Sequence, residues 1–172
     1  MAVTKPDLSR LDGTVAPRVL HAMRAAAAEL TRLGVRHTLV GGLAVGAHGY
    51  PRATKDVDFL VGEEAFEHHA GGVVTMKPGM PIQVDGVAVD FLSIGADERH
   101  LEAALSETVA AAPALVYLKL KSPRSKDRTD VIEMIKAGAD VPAIRAYLAL
   151  HEAAFVSRLE DAARAARAEE EA

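Results

Sequence analysis

With 172 residues, 49% of them hydrophobic and 26% charged, the chain has the length and balance of one ordinary globular domain. A net charge of −4 argues against wholesale non-specific nucleic-acid binding and leaves room only for a local basic patch. The lack of cysteine excludes disulfides, thiolate zinc sites and a cysteine nucleophile together.

The start, "MAVTKPDLSRLDGTVAP", is polar and has no signal-peptide core. No later run approaches the roughly 20 apolar residues of a membrane span, so a soluble, cytoplasmic protein is expected. "PRVLHAMRAAAAELTRLG" predicts a helix, with Pro17 in its first turn and Gly34 as its stop. "VRHTLV" predicts a short strand, "LAVGAHG" a short helix and "DVDFLV" a second strand. The loop "YPRAT" connects them, where Pro51 forbids a continuous helix. "EEAFEHHAG" is expected to form another short helix. "PIQVDGVAVDFLS" is the strongest hairpin signal, two alternating runs joined at Asp85-Gly86, with Asp90 near the end of the second. From Pro113 onward helices dominate: "PALVYLKLKS", "SKDRTDVIEMIKAG" with Gly138 as its stop, "VPAIRAYLAL", and an alanine-rich, charged tail. A single domain over 1–172 is expected, with a core at about 17–112 and a helical part at about 113–172.

Aspartate is a poor strand former, and like charges on one strand face repel, yet "DVDFLV" carries two. Strand side chains alternate, so Asp56 and Asp58 point to one side while Val57 and Phe59 point into the core. Asp90, in the similar setting "VDFLS", is expected to reach the same face from a neighbouring strand. Three carboxylates with oxygen donors only suit hard divalent cations such as Mg2+ or Mn2+ and do not suit zinc. The bland alternative is a solvated edge strand, or Asp56 and Asp58 paired with Arg52 and Lys55. Gly41-Gly42, between a strand and a short helix, leaves backbone N–H groups free for an anion and lets a phosphate approach closely.

This order of Gly-Gly, short helix, Asp-x-Asp strand and a later lone Asp resembles the polymerase-beta-like nucleotidyltransferase superfamily. The likeness is nearest to its small bacterial members, the AbiEii-type toxins and stand-alone nucleotidyltransferases. It covers roughly Val35 to Lys136, and "RATKDVDFLV", with Arg52, Thr54 and Lys55, has close counterparts there. So do Lys119-Leu120 and "RSKDRTD", Arg124 to Asp130. Many relatives have Gly-Ser where this chain has Gly41-Gly42, so a serine hydroxyl is missing.

The resemblance implies an α/β (α+β) nucleotidyltransferase core, a small mixed β-sheet with flanking helices, followed by a helical C-terminal part that closes one side of the cleft. It implies transfer of a nucleoside monophosphate from an NTP to a hydroxyl on tRNA, a protein or a small molecule. Asp56, Asp58 and Asp90 would hold metal, and Gly41, Gly42, Lys119, Arg124 and Lys126 would hold the nucleotide. Asp127 and Asp130 either cap the helix "TDVIEMIKAG" or orient those basic groups. Lys121 and Arg128 read as solvated surface, His48 as packing, and His68-His69 as too divergent on a helix to bind metal together. A toxin role with an antitoxin or homodimer partner, and an inactive nucleotide- or partner-binding module, are the neighbouring readings.

Overall fold

An apolar period of two builds the sheet of this protein, and a period near 3.6 builds the helices that cover it. The computed structural model describes residues 5–172; Met1–Thr4, the beginning of the polar start, lie outside the described residues. Helix α1 (Pro17–Arg32) has its proline in the first turn and ends ahead of Gly34, whose φ of +72° only glycine adopts without strain. The segment before it is less polar than its composition suggests. Leu11 and Val15 are buried, and the Asp7 N–H donates to the Ala47 carbonyl at 2.8 Å.

Strand β1 (His37–Val40), helix α2 (Gly41–Ala47) and strand β2 (Val57–Val61) follow as expected. The expected helix in "EEAFEHHAG" does not form. A single 3-10 turn (Glu63–Ala65) leads into strand β3 (Phe66–His68), which pairs antiparallel with β4 (Val74–Met76). The segment offers no apolar stripe for a helix to bury. Gly71 and Gly72, both at positive φ, turn the chain back so that β4 satisfies the backbone of β3. The adjacent His68 and His69 therefore sit on or beside a hairpin strand.

Strands β5 (Gln83–Val84) and β6 (Val87–Ser93) form the expected hairpin. Asp85 at φ +48° and Gly86 at φ +79° supply the two left-handed residues of its turn. Asp90 lies at the middle of β6 and not near its end, because pairing with β2 carries the strand on to Ser93. The main sheet is mixed, in the order β1-β2-β6-β5, with β2 and β6 parallel and the outer pairs antiparallel. Residues 108–110 extend it beyond β1: the Leu39 N–H donates to Thr108 and the Ala110 N–H to Leu39, both at 3.0 Å. The 3-10 stretch Arg99–Ser106 ahead of them has no counterpart in the sequence reading.

Helix α1 packs on β2, β5 and β6, the sheet face that buries Val57, Phe59 and Val89. Helices α3 (Ala112–Lys121), α4 (Ser125–Lys136), α5 (Val141–His151) and α6 (Val156–Glu170) form the C-terminal part. There α3 packs on α4 and α5, and α4 packs on α6. The protein is thus α+β, a small mixed sheet with flanking helices and a helical C-terminal part. Among the described residues no helix is long and apolar enough to cross a membrane.

Candidate active site

The alternation of β2 that buries Val57 and Phe59 leaves Asp58 on the opposite face, half-buried. Parallel pairing then sets Asp58 directly opposite Asp90, with Leu60 opposite Leu92 two residues further along. Asp56 precedes the first residue of β2 and is exposed. Burial, then the neighbouring Asp90 charge, push the Asp58 carboxyl up to about 6, against a smaller opposing pull from Lys119. The expected alternative partners do not engage: Arg52 pairs with Asp130, and Lys55 pairs with neither Asp56 nor Asp58 among the described residues.

The glycine turn is packed more tightly than the sequence suggests. A Cβ on Gly41, itself at φ +69°, would collide with the Asp58 carboxylate. One on Gly42 would stand 2.9 Å from Thr54 Oγ1 and 3.1 Å from Arg52 Nη2. Both glycines therefore make room for this chain's own Asp58, Arg52 and Thr54.

The basic residues divide into two groups. Lys119 is buried, and its Nζ donates to Asp127 Oδ1 and Asp130 Oδ2, each at 2.8 Å. Asp130, wholly buried, also takes a bidentate pair from Arg52 Nε at 2.9 Å and Nη2 at 2.8 Å. Burial works against the Asp127 charge, but Lys119, Ser122 and Arg124 hold its carboxyl down at about 2. Asp130 likewise holds the Arg52 guanidinium above its ordinary value. Arg124, although bonded to Asp127 at 2.7 Å, is 74% exposed, and Lys126 is exposed with no carboxylate partner among the described residues. Of the expected alternatives for Asp127 and Asp130, orienting the basic groups is the arrangement seen; neither residue caps α4.

All these groups meet in one cleft of about 570 Å³. Asp56, Asp58 and Asp90 line its sheet side; Arg52, Thr54 and Lys55 come from the loop, and Lys119, Arg124, Lys126 and Asp127 from the helical side. Gly41 and Gly42 border it, and Asp130 stands behind the wall. The three sheet-side carboxylates are the groups that could hold a divalent cation. As they stand they do not close into a cage: no cluster of three His, Asp or Glu among the described residues is arranged to hold a metal ion.

The sequence matches no known protein family and no curated protein. It is similar in structure to an antigenic nucleotidyltransferase-like protein from Paracoccidioides brasiliensis, with 14% identity, 86% of this chain and 94% of that chain covered, and a TM-score of 0.45.

Sequence reading missed Leu92, Leu115, Leu118 and Ser122, which also line the cleft. The leucines carry no signal, because leucine is an ordinary core residue and only the fold shows which ones border a cavity. Ser122 directly follows "KLK", and its hydroxyl donates to Asp127 Oδ2 at 2.5 Å. His48 is confined to packing, its Nε2 bonded to the Ala110 carbonyl at 2.8 Å.

Proposed function

We propose that the protein is a metal-dependent nucleotidyltransferase of the polymerase-beta-like kind, moving a nucleoside monophosphate from an NTP to an acceptor hydroxyl and releasing pyrophosphate. The observation that carries this reading is the in-register pair Asp58 and Asp90, carboxylates with no salt-bridge partner among the described residues, across a cleft from Arg124 and Lys126. A fold with no use for a cation has no reason to bear that repulsion. The donors fit Mg2+ or Mn2+, since they are hard oxygens. The absence of a closed cage also fits, because Mg2+ is ordinarily held by one or two carboxylates together with waters and substrate phosphates.

Asp56, Asp58 and Asp90 would hold the metal, which when bound neutralises charge on the attacking and leaving oxygens at the α-phosphorus. The acceptor oxygen forms the new bond to that phosphorus as the bond to the bridging oxygen breaks, and the leaving group departs as pyrophosphate. Asp90, exposed in the cleft, would take the acceptor proton if it reaches the acceptor hydroxyl. Arg124, Lys126 and Lys55, exposed cations in the cleft lining, would face the polyphosphate. Lys119, with two of its three ammonium protons committed to carboxylates, offers the third. Gly41 and Gly42 contribute backbone N–H groups.

The test is incubation with each labelled NTP, Mg2+ and a cell extract, followed by sizing of the labelled product. The same reading makes an RNA, a protein hydroxyl or a small molecule the acceptor, and the labelled size fraction tells them apart. Growth arrest on expression, relieved by the partner's gene, would mark a toxin. A calorimetric titration showing no NTP binding in Mg2+ sinks the nucleotide site.

A further inference from the structure

We infer that Asp130 is a positioning residue for this cleft: through its bidentate grip on Arg52 it fixes the loop that carries Thr54, Lys55 and Asp56. This rests on the reading of the cleft as an NTP site. Residues 50–56 have no regular secondary structure; the Tyr50 N–H donates to the Val45 carbonyl at 3.3 Å, and beyond it side-chain ties bear on the path of the loop. Within the loop, the Thr54 side chain bonds only to Arg52, and Lys55 and Asp56 make no side-chain hydrogen bond among the described residues. The two bonds from Arg52 to Asp130 are the side-chain hydrogen bonds that leave the loop.

The grip is built on both sides. Asp130 is wholly buried on α4 and does not line the cleft, so it acts only through what it holds. Arg52 is 16% exposed and lies over Gly42, where an added Cβ would meet Nη2 at 3.1 Å and Nη1 at 3.2 Å. Its guanidinium is thereby clamped between a carboxylate and the backbone of the glycine turn. A planar fork suits that geometry, and an ammonium could supply the charge but not the two parallel bonds. The same carboxylate bonds Lys119 at 2.8 Å, so one buried group sets the loop wall and the helical wall together.

The experiment is calorimetric titration of the full chain with Mg2+ and each NTP, comparing wild type, Asp130→Asn, Arg52→Lys and the double variant. Arg52→Lys keeps the charge, is partly exposed and carries the test if Asp130→Asn fails to fold. The expected result is a Kd raised roughly 10-fold or more in each single variant, at unchanged stoichiometry. The double variant should bind no worse than the weaker single, because both changes break one tie. A purely structural Asp130 would lower the melting temperature and the fraction of molecules that bind while leaving Kd unchanged. That result, or a wild-type Kd in Arg52→Lys, overturns the inference alone. A wild type that binds no NTP overturns the reading of the cleft and this inference with it.

Discussion

Asp58 and Asp90 stand opposite each other on the parallel strands β2 and β6, while three of the five cations that line the cleft, Arg52, Lys119 and Arg124, are paired with Asp130 and Asp127 instead. Asp58 and Asp90 have no salt-bridge partner among the described residues, whereas Lys119 and Arg52 are paired with buried carboxylates. That separation determines how each substitution should behave.

Ionised Asp58 should oppose folding in the metal-free protein. Its folded pKa of about 6 lies above the ordinary 3.8, so its contribution is fully present below the unfolded value and is lost as pH rises through about 6. A rise from 3.8 to about 6 corresponds to about 3 kcal/mol, and partial exposure reduces the expected effect to about 1–2 kcal/mol. Asp58→Asn should therefore raise the melting temperature by about 2–6 °C at pH 8 and by roughly half as much at pH 5, where the unfolded carboxyl is already ionised. Thermal melts in EDTA at the two pH values check this. An equal gap at both would show that the charge is not the cause.

Transfer should respond in the opposite direction. Asp58→Asn and Asp90→Asn should each lower labelled-nucleotide transfer by at least about 100-fold, since an amide cannot replace the charge that a divalent cation needs. Circular dichroism should show both variants folded. Full activity in either would remove that residue from the chemistry.

Gly41→Ala should disable the site from the backbone side. Gly41 is held at φ +69°, and its new methyl would overlap the Asp58 carboxylate. A loss of about 1–3 kcal/mol in urea unfolding is expected, together with loss of transfer. Gly34→Ala is the control. It shares the positive φ but meets no neighbour, so it should cost stability and spare transfer.

Lys119→Ala should act mainly on stability. It leaves Asp127 and Asp130 buried without one of their cations, a change that typically costs about 3–5 kcal/mol. Lys126→Ala, at an exposed position without a carboxylate partner, should leave urea unfolding within about 0.5 kcal/mol of wild type. It should still weaken NTP binding, and more so at low salt. If Lys119→Ala unfolds like the wild type, the ion-pair network is not what holds α3 to α4.

Much of this protein is legible in its sequence alone because period and turn chemistry are local. Pro17 and Gly34 bound α1, Asp85-Gly86 makes the hairpin, and the alternation of "DVDFLV" puts Asp58 opposite in direction to Val57 and Phe59. Local signals failed where a distant partner decides. "EEAFEHHAG" became a strand because β4 was there to pair with it, and the polar start hides Leu11, which packs against the missing side chain of Gly46. The facing of Asp58 and Asp90 required the parallel register of two strands about thirty residues apart. Whether Lys119 and Arg52 are free or bound also depended on tertiary structure. A sequence shows that cations and carboxylates are present, but burial decides which must pair, since an unpaired charge inside the protein loses its hydration and only the fold says which charges lie inside.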